Sequence, residues 1–221
     1  MSWLWRPGNL NWWIGAIFAI GSLLFAAASL LSLQPELAGW LMLESRVNAI
    51  FFAGSIPFTT AAWLQLYQSA NAQQPSGERR KWFGWRPRDA GWLSCALQFV
   101  GTVLFNINTF DAMIPSMDWL QEDLVVWVPD IIGSVLFLAS GYLAFVEAGP
   151  HRWWFRPSDL TWWVVATNLL GCVGFMISAC FAIAFPTATE AWPTISIFFT
   201  MVGAIFFLLG SLLMIVEADF E

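Results

Sequence analysis

Charge is scarce in this chain: 11% of its 221 residues are Asp, Glu, Lys or Arg, against 58% that are hydrophobic. Soluble domains carry roughly a quarter charged residues, so a surface wetted on every side is excluded. Histidine is scarcer still, with His151 alone, in a connection between apolar runs. That excludes a haem held by two histidines of this chain, and no His/Cys/carboxylate grouping has metal-site spacing. The three cysteines, Cys95, Cys172 and Cys180, fall inside apolar runs, where an odd number offers no disulfide framework and reads as small apolar filler. Phosphate-cradling G-x-x-x-x-G-K-[ST], nucleophile-elbow G-x-S-x-G and zinc-binding H-E-x-x-H patterns are all missing. The expectation is a non-enzymatic protein with no cofactor and no nucleic-acid partner.

What the chain has instead is length in its apolar runs. Mean hydropathy is +0.65, and six runs near or above the roughly twenty residues that span a bilayer fall at 9–33, 46–69, 89–114, 126–148, 159–185 and 194–217. The predicted fold class is therefore all-α, a polytopic membrane protein of six transmembrane helices. The first run exceeds the apolar region of a cleaved signal peptide and carries the same motif as the other five, so it reads as a retained span. Arg6, Arg79, Arg80, Lys81, Arg86, Arg88, Arg152 and Arg156 flank the spans on one side, and only Arg46 lies on the other. Basic residues collect on the cytoplasmic side, which places both termini there. Anionic lipid head groups are the expected partners of this basic ring. Glu36, Glu44, Asp118, Glu122, Asp123 and Glu190 populate the opposite loops, so the net charge of -6 is split across the bilayer.

Each run contains a glycine followed by a small or polar residue and, four positions past the glycine, a phenylalanine: Gly21 and Phe25, Gly54 and Phe58, Gly101 and Phe105, Gly133 and Phe137, Gly171 and Phe175, Gly203 and Phe207. Two more small or polar residues follow at seven and eight positions. At about 100° per residue these positions form one stripe on a helix, and small residues so spaced let helices approach closely in lipid. The six glycines are read as a packing seam, with a ligand groove as the alternative. The runs also pair up. Arg6, Arg86 and Arg156 each open a hairpin, with a tryptophan six residues on (Trp12, Trp92, Trp162) and the motif glycine fifteen on. The second and third hairpins align without a gap at a shift of 70 residues. One membrane domain of three tandem, parallel-oriented hairpins is predicted, covering 1–75, 82–150 and 152–221.

Asn9, Asp89 and Asp159 are expected to cap the entering helices, behind Pro7, Pro87 and Pro157. Eleven of the sixteen tryptophans, Trp3 and Trp153 among them, cluster at that interface as an aromatic belt. Glu147 and Glu217 end two helices where the dipole disfavours an anion, which predicts a ring of ion pairs with Arg6, Arg86 and Arg156; Gln68 takes the equivalent place in the first hairpin. Gln98 and Asn168 share one repeat position and are expected to bond between helices. On the other side Arg46, Asn48, Asn106, Asn108, Asp111 and Asp130 gather near span ends. Ionisable groups there are usually paired, so Arg46 is expected to meet Asp111 or Asp130; a polar vestibule for a solute or ion is the alternative. The 115–127 connection reads as a short amphipathic turn on the surface.

The R-P-x-D-x-x-W-W entry (Arg156 to Trp163) and the G-S-x-x-F run closing on Glu (Gly133 to Glu147) or its Gly203 to Glu217 counterpart resemble the YrhK-like bacterial membrane proteins. The resemblance covers the second and third hairpins best, and the first departs at Asn9, Pro57 and Gln68. It implies a bacterial inner-membrane setting and no established activity. Three functions are expected: an accessory or scaffold subunit associating with itself or a larger membrane complex; a small channel or transporter with a polar outer vestibule; or a lipid, quinone or pigment binder.

Overall fold

The computed structural model describes residues 5–75, 77–150, 154–184, 189 and 191–218, with the Glu44 side chain left aside. Trp3, His151, Arg152, Trp153 and Glu190 lie outside the described residues. The elements are α1 (Leu10–Leu33), α2 (Pro35–Trp40), α3 (Val47–Asn71), α4 (Ala90–Asp111), α5 (Trp119–Glu122), α6 (Val128–Glu147), α7 (Leu160–Phe181) and α8 (Ala191–Glu217), a single 3-10 turn preceding α3 and a π-turn (Asp123–Trp127) joining α5 to α6. Six helical segments are long and apolar enough to cross a membrane, and the protein is a multi-pass, all-helical membrane protein. The 115–127 connection departs from its expected form. Its second half is helical and runs unbroken into α6, giving one span from Trp119 to Glu147.

Each spanning helix packs on its sequence neighbours, and α8 returns to α1, so α1, α3, α4, α6, α7 and α8 form a closed ring. The glycines explain how closely it closes. A Cβ on Gly101 would stand 2.7 Å from the Phe137 ring, and one on Gly133 would stand 3.0 Å from Phe105. Gly21 and Gly54 face Phe58 and Phe25 in the same reciprocal way, as do Gly171 and Gly203 with Phe207 and Phe175. In every hairpin, then, each motif phenylalanine lies over its partner helix's glycine. The opposite sides of these helices, at Ile20, Leu23, Val100, Val103, Leu170 and Val173, are exposed. These stand one before and two after the motif glycine, roughly 100° and 200° around the helix, where lipid would meet them.

The face carrying the Arg-Pro turns, called the near face here, is built alike in the three hairpins. Asn9, Asp89 and Asp159 accept from helix amides two or three residues on, at 2.8, 3.1 and 3.0 Å. The indoles of Trp13 and Trp163 donate to the Pro7 and Pro157 carbonyls at 2.9 Å, so these belt residues also staple the entry turns.

The expected ring of arginine–glutamate pairs is corrected here. No ion pair within 4.0 Å joins Glu147 or Glu217 to Arg86 or Arg156 among the described residues; Arg86 instead meets Asp89, at 3.9 Å. Glu147 instead lies over Gly91 and accepts from its backbone, and Glu217 accepts from the Thr161 hydroxyl. Gln68 donates to Asn11 at 2.9 Å. All three acceptor or donor sites are the second residue of the helix that opens the same hairpin, α1, α4 or α7. Antiparallel packing puts that helix's positive N-terminus beside the end of the returning helix, α3, α6 or α8, so the neighbour's dipole holds the carboxylate that its own dipole repels. Removing one such clasp, by Thr161→Val or Glu217→Ala, is expected to cost about 1 kcal/mol. Unfolding in mild detergent should show the double variant losing less than the sum of the two.

Candidate functional site: two chambers across an aromatic plug

The six motif phenylalanines meet on the axis of the ring and are all buried. Helices α1, α4 and α7 run away from the near face and α3, α6 and α8 return to it, so the rings stack in two tiers. Phe25, Phe105 and Phe175 form the far tier, with Phe175 at 5.8 Å from Phe25 and 5.5 Å from Phe105. Phe58, Phe137 and Phe207 form the near tier, with Phe207 at 5.8 Å from Phe58 and 6.0 Å from Phe137. Within a hairpin the tiers touch at 5.4, 4.9 and 5.4 Å. A void of about 10 Å³ is left among them, beside Ser55.

On either side of this plug the axis widens. The near chamber, about 130 Å³, is floored by the near-tier phenylalanines and bordered by Gln65, Ser94, Gln98, Asn168 and Ser211. Gln98 and Asn168 thus meet at one cavity together with Phe18, their counterpart in the first hairpin. Gln98 Oε1 accepts from Ser140 at 3.4 Å, while Gln65 Oε1 is buried with no hydrogen-bond partner.

The far chamber, about 170 Å³, is floored by Phe25, Phe105 and Phe175 and bordered by Asn48, Asn108, Asp130, Ser178, Ser196 and Thr200. Asn108 donates to Asp130 Oδ1 at 3.0 Å, and its own Oδ1 is buried without a partner. Across the chamber the Ser178 hydroxyl lies 2.6 Å from that of Thr200 and 3.1 Å from that of Ser196. The π-turn sits just above. Its Trp127 donates to the Ala179 carbonyl at 2.9 Å, and Asp123 accepts from the Ala184 amide at 2.7 Å, tying α6 to α7 beside the site.

Of the six polar residues expected on the far side, Asn48, Asn108 and Asp130 line one cavity. Asn48 also donates to the Ala112 carbonyl at 2.6 Å. Asn106 does not join them. It crosses the seam between α3 and α4, accepting from Ser55 at 2.5 Å and donating to Thr59 at 2.6 Å. The expected pairing of Arg46 is corrected: Arg46 is exposed ahead of α3, and no ion pair links it to Asp111 or Asp130 among the described residues. The Asn108 amide occupies the place at Asp130 that an arginine was expected to fill. Ser178, Ser196 and Thr200 were not anticipated, although a signal existed: the 70-residue shift carries Asn108 onto Ser178 and Asp130 onto Thr200.

No family model matches this chain, and neither does any curated protein or solved structure.

Proposed function

We propose that this protein is a small channel or transporter, whose pathway runs along the axis of the helix ring and is closed by the phenylalanine plug. One observation carries the reading: two chambers, largely apolar but each set with a few polar side chains, face each other across two tiers of apolar rings, and each holds a buried oxygen without a partner, Gln65 Oε1 on one side and Asn108 Oδ1 on the other. Buried polar atoms in a protein are nearly always satisfied, so both oxygens are set to meet water or a passing solute. A dry apolar constriction between wet chambers is a known form of gate.

The setting taken from the basic ring and the resemblance is a bacterial inner membrane, with both termini cytoplasmic and the Asp130 chamber facing outward. Exposed Arg79, Arg80, Lys81 and Arg88 would then meet anionic head groups. An accessory subunit would call for a face reserved for a partner. Lipid alone accounts for the exposed apolar side chains on each spanning helix. A quinone or lipid ligand would have little use for the buried oxygens.

The reading is tested in vesicles loaded with sodium chloride and diluted into choline chloride, with release followed by a sodium-sensitive dye. Release above that of protein-free vesicles, reduced by Asp130→Asn, is expected. Release equal to protein-free vesicles, from the wild type and from a variant with an opened plug alike, would overturn it.

A further inference from the structure

The far chamber holds a carboxyl group, that of Asp130, that no basic side chain faces among the described residues. Asp130 lies in a membrane-spanning segment, and among the described residues none that lines the cavity, on any of the helices around it, is Lys, Arg or His. Its protein partner is a neutral amide, that of Asn108. Ionisable groups at such depth are almost always paired, so the counter-charge is left to whatever enters the chamber.

The neutral oxygens around it point to the kind of visitor. Asn108 is 6% exposed, and turning its amino group to Asp130 leaves Oδ1 buried and unpartnered at the same cavity. Opposite stand the hydroxyls of Ser178 and Thr200, at the positions equivalent to Asn108 and Asp130 in the third hairpin. The first hairpin contributes Phe51 at the Asp130 position and Ala28 at the Asn108 position. Two hairpins therefore aim an oxygen pair at one cavity while the first is apolar at both equivalent positions, a break in the repeat that helix packing alone does not require.

We propose that the far chamber binds a monovalent cation of the sodium class, with Asp130 supplying the charge and Asn108 Oδ1, Ser178 and Thr200 supplying neutral oxygens. One carboxylate balances one positive charge, and a set of oxygens without thiolate or imidazole suits a hard ion rather than zinc or copper. A volume of about 170 Å³ also leaves room for several waters, each taking roughly 30 Å³. This names the solute of the pathway proposed above and rests on that reading for transport, but binding is measured without any flux.

The test uses the whole chain in mild detergent, with thermal unfolding followed in sodium chloride, potassium chloride and choline chloride at constant ionic strength. A ligand bound by the folded state alone raises Tm with the logarithm of its concentration. Tm is expected to climb with sodium and stay flat in choline. Asp130→Asn, which keeps the side chain's shape, should abolish the climb. Ser178→Ala should shift it to roughly tenfold higher sodium, and Asp111→Asn, outside the cavity lining, should leave it intact. Equal Tm curves in sodium and choline for the wild type overturn the proposal, as does a sodium response that survives Asp130→Asn. Stability that follows pH but no cation also overturns it, since the counter-charge would then be a proton. Sodium-dependent Tm without vesicle flux would leave the ion site standing and sink the pathway; flux without it would do the reverse.

Discussion

Gly174→Ala is expected to separate α7 from α8 and to destabilise the protein by about 3 kcal/mol, at the upper end for overpacked cores. A Cβ at this position would stand 2.8 Å from Gly203 Cα, 2.9 Å from Gly203 N and 3.2 Å from the Phe199 carbonyl oxygen. Every one of these neighbours is backbone, so no side chain can rotate out of the way. Alanine favours a helix over glycine by only roughly 0.5–1 kcal/mol, which the clash exceeds. The damage would spread, because the same seam carries the stacked Phe175–Phe207 pair at 5.4 Å and the Ser178 contacts to Ser196 and Thr200. Gly8→Ala is the matched control. A Cβ there meets nothing within 4 Å, and its effect should stay within about 0.5 kcal/mol. Unfolding midpoints in mild detergent read both; a Gly174→Ala protein as stable as the wild type would mean that α7 and α8 do not approach this closely.

Gly174 is also a measure of what could be read from the chain beforehand. It lies outside the repeated motif, so nothing in the spacing marked it, and the same holds for Gly15, whose Cβ would stand 2.9 Å from the Ser211 carbonyl oxygen of α8. Spans, caps and motif glycines were legible because they are local or periodic. An N-cap needs only its own turn, and a stripe of small residues needs only the 100° step. The clasps at Glu147 and Glu217 were not, for a specific reason. Their own helices' dipoles argue for an arginine, and the stronger partner is the N-terminus of an antiparallel neighbour at the same level. Asn106 and Asn108 were grouped because they are two residues apart. Two residues are about 200° on a helix, and that turn sends Asn106 into the α3 seam and Asn108 into the chamber. Asp130 was recognised as a polar group near a span end, but that no basic side chain among the described residues faces it emerges only when the lining of the cavity is known.

Replacing Phe175 and Phe207 together by alanine should join the two chambers and raise sodium release from vesicles by about a hundredfold. The pair is chosen because each ring belongs to a different tier. Phe175 floors the far chamber and Phe207 the near one, and each also contacts two rings of its own tier. With both gone, no ring of the third hairpin stands between the Thr200 and Ser211 sides. An ion in a dry apolar stretch costs at least roughly 2.5–3.5 kcal/mol, and each 1.4 kcal/mol removed from a barrier is about tenfold in rate, so wetting the plug is worth about two powers of ten. Two Phe→Ala changes also cost roughly 3–5 kcal/mol each in packing, and the double variant has to be shown monodisperse before its flux is read. Phe175→Tyr avoids that loss, since it keeps the ring and adds a hydroxyl among apolar neighbours; it should conduct more than the wild type, though less than the double variant. Phe175→Leu keeps the plug dry and should stay closed. Natural opening would follow another route, through Phe58. Pro57, just before it inside α3, cannot donate to the Ala53 carbonyl, and the void of about 10 Å³ lies against Phe58 and Ser55. A ring that can swing on a weakened helix, next to a gap in the plug, is where a gate would give first. If folded Tyr and Ala variants release sodium no faster than the wild type, the phenylalanine tiers are a packing core and not a gate.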